Sequence, residues 1–402
     1  MSGPSTRRLR VAVVAEFYPS SRDPVLGIWA HRQAVAARDA GAEVRVLVLH
    51  RLIPPRASLA AGAGGAVGAL AARLREPPRQ IRDGIPVTYV PYVSPPRERS
   101  YPRWGAWAAP TLAVALRRLA GSFAFELIHA HNAVPAGDAV RRARIAKPLV
   151  VSVHGGDVFY TAGRGEGGAR AVADGLGAAR LVLANSEGIA ELARAHGAGD
   201  TRVVHLGAEL AASPRHARHE GPPTLVTVAH LVARKRHGDV LRALAVLSRR
   251  HPRLRYEIIG DGPERVALEG LAARLGVSER VEFVGQLDPE PALERARRCT
   301  LFVMPSTDEA FGVAYVEAMA GGVPAIGCRG EPGPEEIAAA GDGFVLVPPG
   351  DIERLSQRID ELLSDPQRLR EAAQRARATV AAQFTWERCG AETLAAYEYA
   401  LG

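Results

Sequence analysis

Short apolar runs rich in Val, Ile and Leu alternate with longer stretches in which apolar positions recur at a helical period. This alternation is typical of buried parallel strands joined by crossover helices. The pattern starts again near residue 224, which indicates two successive α/β domains. The predicted strands of the first half are Arg10–Glu16, Glu43–His50, Pro86–Val90, Leu127–His131, Leu149–His154, Leu181–Ala184 and Val203–His205. Those of the second half are Thr224–Ala229, Arg255–Gly260, Val281–Val284, Leu301–Pro305, Pro324–Gly327 and Gly343–Val347.

Residues 207–223 separate the two halves and are predicted to be a linker. They contain Pro214, Pro222 and Pro223 and show no apolar periodicity. We therefore expect one Rossmann-like domain over residues 1–206 and a second over 224–383. In open parallel sheets ligands bind at the carboxyl ends of the strands, so the two sheets are expected to face each other across an active-site cleft. Residues 51–82 read as a mobile excursion.

The composition of the 402 residues is that of an ordinary globular protein, with 47% hydrophobic and 23% charged residues. The three cysteines are too few for a disulfide framework or a thiolate metal site, which favours a reduced, cytoplasmic setting. The apolar run Val11–Ala15 is too short for a signal peptide, and no stretch reaches the roughly 20 apolar residues of a membrane span. We therefore expect a cytoplasmic protein.

Charge is distributed unevenly along the chain. Residues 1–210 hold 27 basic and 16 acidic residues, a net charge of +11, whereas residues 211–402 have a net charge of −3. A basic, aromatic segment of the first half comprises Arg97, Arg99, Arg103, Arg117 and Arg118 around Tyr101, Trp104 and Trp107. This segment favours either peripheral association with the anionic inner face of a membrane, or an ordinary helix packed on the sheet with a solvated basic face. No nucleic-acid partner is expected.

The strongest candidate for chemistry follows the predicted strand Leu301–Pro305. Glu309 and Glu317 lie eight residues apart, and a helix is predicted to begin near Phe311 or Gly312. The N–H groups at the start of such a helix suit a diphosphate. An arbitrary pair of glutamates at this spacing is more often a helix cap and a solvated residue, but the full run from Ser306 to Pro324 favours a site.

Other polar residues also follow predicted strands. His154, with Gly155, Gly156 and Asp157, follows the strand that begins at Leu149. The pair His129 and His131 ends another strand and is read either as a site or as structural histidines. Metal binding is not expected, because no carboxylate follows the pair at close spacing and the chain has no D-x-D triad. Lys235, one of two lysines in an arginine-rich chain, follows the first strand of the second half.

These motifs resemble the retaining glycosyltransferases of family 4, which have the GT-B fold. The resemblance rests on the E-x7-E element followed by small residues and Val323-Pro324, and it runs from the first loop to the segment 384–388. It implies that residues 384–402 form a closing helix that crosses back to the first domain. It also implies that Glu309 contacts sugar hydroxyls and Glu317 the ribose, while the backbone at Phe311 and Gly312 meets sugar and phosphate.

The resemblance implies roles for further residues. His154, Lys235 and Glu309 are the expected catalytic groups, and Ala229 and His230 stand where the family has glycine and arginine. The other expected donor-binding residues are Gly27, His230, Arg234, Gly262, Val284 and Gly285. The expected acceptor-side residues are Trp29, His31, His131 and Asp157.

The expected activity is metal-independent and cofactor-free transfer from a nucleotide-diphosphate sugar to a glycan or lipid-linked acceptor. Lys235 and a helix N-terminus would stabilise the charge that grows on the leaving group. Retention of the anomeric configuration is implied by the resemblance, with front-face attack as the favoured route. The alternatives are an epimerase or phosphorylase of the same fold, or a sugar-nucleotide-binding protein without turnover.

Overall fold

A computed structural model describes residues 8–21, 23–53, 62, 64, 65, 68, 78–211 and 221–402. Most of the predicted excursion over residues 51–82 lies outside the described residues, as do residues 212–220 of the predicted linker. The chain divides into two compact units. The first runs up to Val204 and includes Cys389–Gly402, and the second is His205–Arg388.

The first unit is built on an eight-stranded sheet. Its strands are β1 (Arg10–Ala15), β2 (Glu43–Arg51), β3 (Arg79–Arg82), β4 (Ile85–Tyr92), β5 (Leu127–His131), β6 (Leu149–Val153), β7 (Leu181–Ala184) and β8 (Thr201–Val203). Their order is β3-β4-β2-β1-β5-β6-β7-β8, and β3 alone among these pairs antiparallel to its neighbour. The helices of this unit whose full bounds are described are α1 (Ile28–Asp39), α2 (Arg97–Ser100), α3 (Trp104–Ser122), α4 (Asp138–Ala143), α5 (Gly165–Gly177) and α6 (Glu187–Ala195).

The second unit is built on a six-stranded parallel sheet of order β11-β10-β9-β12-β13-β14. Its strands are β9 (Thr224–Val228), β10 (Arg255–Ile259), β11 (Val281–Gly285), β12 (Leu301–Val303), β13 (Ala325–Cys328) and β14 (Phe344–Val347). Its helices are α7 (His237–Leu247), α8 (Arg265–Arg274), α9 (Pro289–Ala296), α10 (Val313–Ala320), α11 (Pro332–Ala340), α12 (Ile352–Leu363) and α13 (Pro366–Gln383). Helix α14 (Trp386–Leu401) begins in this unit and joins the first from Cys389 onward.

The predicted α/β class is confirmed. Central strands are buried on both faces, which is why they read as continuous apolar runs: all five residues of Val11–Ala15 have no exposed surface. The predicted strand Val203–His205 is displaced, since β8 covers Thr201–Val203. Strand β3 was missed because its sequence is polar. It forms by pairing with β4 across the turn Asp83-Gly84, where both residues have positive φ, and an Asp-Gly pair is a hairpin signal.

Helix α14 packs on the first unit through close backbone approach and polar pairs. A Cβ at Gly390 would lie 2.2 Å from the Ala36 carbonyl oxygen, so only glycine fits there. The Gln33 amide donates to the Thr393 hydroxyl at 3.1 Å. The closing helix therefore covers α1.

Helix α3 corrects part of the membrane hypothesis. Trp104 is 3% exposed and donates from Nε1 to the Ser100 hydroxyl at 3.0 Å, and Tyr101 is also buried. Trp107, three residues after Trp104, is 49% exposed. Trp104 and Tyr101 are therefore core residues, and only Trp107 among the three aromatics reaches the surface. Within the described ranges, no helix has both the length and the apolar composition of a membrane span.

Candidate active site

The loop after β12 brings the start of α10 to the carboxyl edge of the second sheet. Gly312 precedes the helix with φ 88°, and a Cβ there would lie 2.3 Å from the Tyr315 ring, so the turn requires glycine. The helix begins at Val313, close to the predicted start. The N–H groups of its first turn have no partner within the helix and carry its positive dipole end. This edge therefore suits a phosphate group.

Glu309 lies beside that turn in a buried ion pair. Its Oε2 accepts from Lys235 Nζ at 2.5 Å and from the Ser306 hydroxyl at 2.8 Å, and Arg234 Nη1 lies 3.9 Å away. The side chains of Lys235 and Glu309 are each 11% exposed. The structure therefore brings together residues of two separate stretches of sequence, Arg234 and Lys235 from one and Glu309 from the other.

Both charges are held by this pairing. Burial alone would raise the pKa of Glu309, but the two cations and the Ser306 hydrogen bond outweigh it and hold that pKa below its ordinary value. Burial lowers the pKa of Lys235, and the Glu309 carboxylate opposes that shift. The site therefore keeps a cation ready for a ligand's negative charge.

Glu331 supports this loop and was missed by the sequence analysis. Its Oε2 accepts the Glu309 backbone N–H at 2.9 Å, and burial raises its pKa. It follows β13 and precedes the proline that starts α11, so an acid at a strand's carboxyl end was the available signal. A Cβ at Gly333 would lie 2.2 Å from Phe311 backbone atoms, so α11 begins against the same loop.

Phe311 and Glu317 occupy different environments. The Phe311 ring is 1% exposed and packs on His205 and Phe384, which leaves only its backbone for contact with a ligand. Glu317 lies half-buried on α10, near enough to Arg297 for the two charges to interact.

The remaining predicted donor residues shape the loops after β9, β10 and β11, which are neighbours in the sheet. His230 is exposed at the end of β9. A Cβ at Gly262 would lie 2.5 Å from the Leu231 carbonyl oxygen, so the two loops touch through their backbones. Gly285, which follows Val284, has φ 84° and accepts the Gly260 N–H at 2.8 Å. These residues therefore lie along one edge with Lys235 and Glu309.

The first unit presents a stacked histidine pair at its own carboxyl edge. The rings of His131 and His154 are 5.3 Å apart and nearly parallel, and Nδ1 of His131 lies 3.0 Å from Nε2 of His154. Burial lowers the pKa of His154 to about 3 and that of His131 well below its ordinary value, so both are neutral. Within the described part of the chain, His131 Nε2, His154 Nδ1 and Trp29 Nε1 are buried without a hydrogen-bond partner.

Trp29 and Gly27 place the first loop beside this pair. The Trp29 and His154 rings are 6.1 Å apart. Gly27 has φ 72°, and a Cβ there would lie 2.2 Å from the Phe17 carbonyl carbon, so the loop closes only with glycine. His129 is structural, because its two ring nitrogens lie 2.8 Å and 2.7 Å from the hydroxyls of Tyr397 and Ser152.

His31 is a correction to the predicted acceptor side. It is 1% exposed, and its Nε2 donates to Asp83 at 2.7 Å while its Nδ1 accepts from the Tyr18 hydroxyl at 2.7 Å. Both ring nitrogens are therefore used inside the protein. Its role is to tie the first loop to the β3–β4 turn.

Asp157 is a second correction. It is 1% exposed and accepts from the backbone N–H groups of Ala133 and Val134 and from the Asn132 amide. Burial raises its pKa to about 6, and these hydrogen bonds oppose the shift. Asp157 therefore supports the loop that follows His131 rather than contacting an acceptor.

Across the described ranges, no three His, Cys, Asp or Glu side chains cluster as metal ligands would. The independence of metal that the sequence analysis expects stays a prediction.

Two family descriptions match the chain. Residues 210–379 match Glycosyl transferases group 1, and residues 26–212 match Glycosyltransferase Family 4. A D-inositol 3-phosphate glycosyltransferase of Nocardia farcinica is 31% identical over 322 residues, which cover 73% of this chain and 70% of that protein. Three further curated relatives are matched over 16%, 60% and 40% of their own lengths, so the chain spans less than two thirds of each.

Solved structures share the fold over nearly the whole chain. Sucrose-phosphate synthase from Thermosynechococcus elongatus has a TM-score of 0.76 at 23% identity, covering 98% of this chain and 99% of that chain. The Anabaena protein HepE in complex with UDP and glucose has a TM-score of 0.70 at 20% identity, covering 98% and 100%. At these identities the likeness concerns the fold.

Proposed function

Since the chain belongs to the family 4, group 1 glycosyltransferases of the GT-B fold, we propose that it transfers a sugar from a nucleotide-diphosphate sugar to a glycan or lipid-linked acceptor. The observation that carries the proposal is the buried Lys235–Glu309 pair beside the start of α10. The cation and the helix N-terminus at this edge suit the diphosphate of such a donor, and the acid suits its sugar hydroxyls.

The leaving nucleoside diphosphate gains negative charge as the glycosidic bond breaks. Lys235, Arg234 and the N–H groups at the start of α10 stabilise that charge in a site already fixed by hydrogen bonds. Glu309 positions Lys235 and accepts from the sugar hydroxyls, and Glu317 holds the ribose. No cofactor or metal is part of the proposal.

We propose that the anomeric configuration is retained through front-face attack. The donor's own phosphate oxygen takes the acceptor's proton. A double displacement would instead need a carboxylate nucleophile under the anomeric carbon, and each acid named in the site already has another role. His154 contributes a neutral ring beside the transferred sugar, since burial keeps its pKa near 3. A neutral imidazole offers one donor and one acceptor, which suits sugar hydroxyls.

The uridine nucleotide is the first donor to test, because HepE is known in complex with UDP and glucose. Purified protein is incubated with UDP-, GDP- and ADP-sugars, and nucleoside diphosphate release is measured with and without candidate acceptors. Release that requires an acceptor supports transfer. Binding without release, or epimerised donor without release, would replace the proposal with one of the alternatives.

We further propose that the first unit associates with an anionic membrane surface. The outer face of α3 carries Trp107 and Val114, seven residues apart and both nearly half exposed, between Arg103 and Arg118. Basic residues near anionic lipid contribute about 1 kcal/mol each and are screened by salt. Vesicle binding should therefore need anionic lipid and weaken in Trp107→Ala, whereas Val246→Ala, an exposed apolar residue of the second unit, serves as control. Equal binding to neutral vesicles would contradict this.

A further inference from the structure

A cluster of arginines and aromatic rings lies at the carboxyl edge of the first sheet and has no part in the function proposed so far. Glu16 and Phe17 follow β1, Arg97 follows β4, and Val134 and Asp157 follow β5 and β6. These strands are parallel neighbours or near neighbours, so the residues that follow them gather at one edge. Ligands of open parallel sheets bind at that edge.

Arg97 is held over aromatic rings while still reaching solvent. Its guanidinium carbon lies 4.1 Å from the centre of the Tyr101 ring and 5.1 Å from that of Phe17. Its side chain is 44% exposed, and Nη1 lies 3.6 Å from Glu16 Oε1, longer than a hydrogen bond. The Tyr101 hydroxyl donates to the other Glu16 oxygen at 2.8 Å. Glu16 thus positions Arg97 without using its paired donors.

Arg164 approaches the same ring from another element. Its guanidinium carbon lies 5.6 Å from the Tyr101 ring centre, and its Nη1 donates to the Arg97 carbonyl at 3.2 Å. The residue is exposed. Two guanidinium groups therefore flank one buried ring, and each is oriented by a contact with fixed structure.

The charge of the cluster is positive. A third arginine, Arg51, lies over Trp104 and donates to the Ser94 hydroxyl at 2.9 Å. Among the described residues, Glu16 is nearly buried and interacts with Arg97 and Arg51, and the oxygens of Asp157 accept backbone N–H groups. Both carboxylates are thus engaged inside the protein, which favours an anion as the ligand of the exposed cations Arg97 and Arg164.

The cluster is joined to the histidine pair through one backbone unit. The Val134 carbonyl accepts from the Tyr101 hydroxyl at 3.2 Å, and its N–H donates to Asp157 at 3.1 Å. Val134 lies three residues after His131, in the same loop. A ligand bound by the arginines is therefore beside the residues proposed to face the transferred sugar.

We propose that Arg97 and Arg164 form an oxyanion subsite that selects acceptors bearing a phosphate or carboxylate group, an inference that rests on the proposed transferase function. A guanidinium is always charged and offers paired N–H donors that match both groups. Stacking on Tyr101 limits the freedom of the side chain, so less order is lost when the anion binds.

The first test compares acceptors that differ by one ionised group. Nucleoside diphosphate release is measured with a hexose and its phosphate monoester, and with a hexose and its uronic acid. We expect kcat/KM to be about tenfold or more higher for the anionic member. Arg164→Ala and Arg97→Lys should lower the ratio of anionic to neutral kcat/KM about tenfold, while Arg170→Ala, an exposed arginine of α5, should leave it unchanged. Presenting the phosphate ester either in solution or on a lipid in vesicles shows whether the anionic acceptor is a free sugar phosphate or a lipid headgroup.

The second test does not depend on turnover. With the donor site saturated by a nucleoside diphosphate, inorganic phosphate is titrated at constant ionic strength and its affinity is read from thermal stabilisation. We expect stabilisation of the unmodified chain and its loss in Arg164→Ala. If no nucleotide sugar is consumed but phosphate binding depends on Arg164, the proposed function fails and the subsite stands. Equal kcat/KM for neutral and anionic acceptors, or phosphate binding that is unchanged in Arg164→Ala, would overturn the subsite.

Discussion

The two units share one architecture, yet the carboxyl edges of their sheets carry opposite chemistry. The first places the neutral rings of His131 and His154 at its edge, and the second places a charged pair, Lys235 and Glu309, at the equivalent edge. Both pairs are largely buried. The difference is that a histidine ring loses little by becoming neutral, whereas a lysine and a glutamate stabilise each other's charged forms. Burial alone therefore does not set the charge of a site.

This contrast gives the two units different roles in the proposed reaction. Charge stabilisation of the leaving group belongs to the second unit, whose cation is already in place. The first unit offers neutral donors and acceptors, with its positive charge held at the arginine cluster.

The largest effect is expected at Lys235. In Lys235→Ala the leaving group loses a fixed cation, and donor turnover should fall about 10²- to 10³-fold, the range found when one such group is removed. Nucleoside diphosphate release measures this, and circular dichroism checks folding because Glu309 is left buried without its partner. Lys147→Ala, the other lysine and an exposed one, is the matched control. Activity of Lys235→Ala within a few fold of normal would show that this cation does not stabilise the leaving group.

Acid should unfold the first unit before the second. Burial lowers the pKa of His129 and of His154 to about 3, so between about pH 6.5 and 3 the unfolded chain binds more protons than the folded one. The stability of the unit is therefore complete above pH 6.5 and decreases as the pH falls below it. Each of the two histidines lowers the free energy of unfolding by about 2 kcal/mol between pH 6.5 and 5. Asp157, with its pKa raised to about 6, has the opposite sign and offsets part of this loss.

The second unit also holds a buried histidine of this kind among its described residues, His237, whose pKa burial lowers to about 4. Limited proteolysis between pH 7 and 4.5, with fragments identified by mass, shows which unit opens first. His129→Gln should move the midpoint of the first unit to lower pH, and His196→Gln should not. Simultaneous opening of the units would remove this contrast.

Within the second unit, Glu309 and Glu317 should affect different kinetic constants. Glu309→Gln removes the charge that positions Lys235 and should lower kcat about tenfold with little change in KM. Glu317→Ala should raise KM about tenfold with kcat nearly unchanged, since ribose contacts are alike in the ground and transition states. Steady-state kinetics with varied donor measure both. Identical patterns in the two variants would contradict the separate roles.

The smallest effect is expected from chelation. Because a lysine and a helix N-terminus meet the diphosphate charge, exhaustive EDTA treatment should change the initial rate less than about twofold. Rates are compared before and after addition of excess Mg²⁺. A loss that Mg²⁺ fully restores would show that the charge of the second unit is insufficient alone.

Much of the fold follows from local pattern. Parallel strands buried on both faces must be apolar throughout, so runs such as Val11–Ala15 and Leu301–Val303 are visible in sequence. Polar residues that follow such strands stand out against the apolar runs, and two of them, Lys235 and Glu309, pair in the structure although they lie 74 residues apart. The different exposures of Trp104 and Trp107 were not visible, because the two residues lie only three positions apart and the packing of α3 decides which of them is buried.

The order of strands and helices, and the residue types at the ends of the strands, follow from the pattern along the chain. Which of those residues have their polar atoms occupied inside the protein depends on contacts between distant segments. His31 and Asp157 end near the site, but Asp83 and the backbone of Ala133 and Val134 occupy their polar atoms. Glu331 became relevant only through the backbone of Glu309. The physical reason is that periodicity is set by neighbours along the chain, whereas hydrogen-bond partners come from segments that meet only when the chain folds.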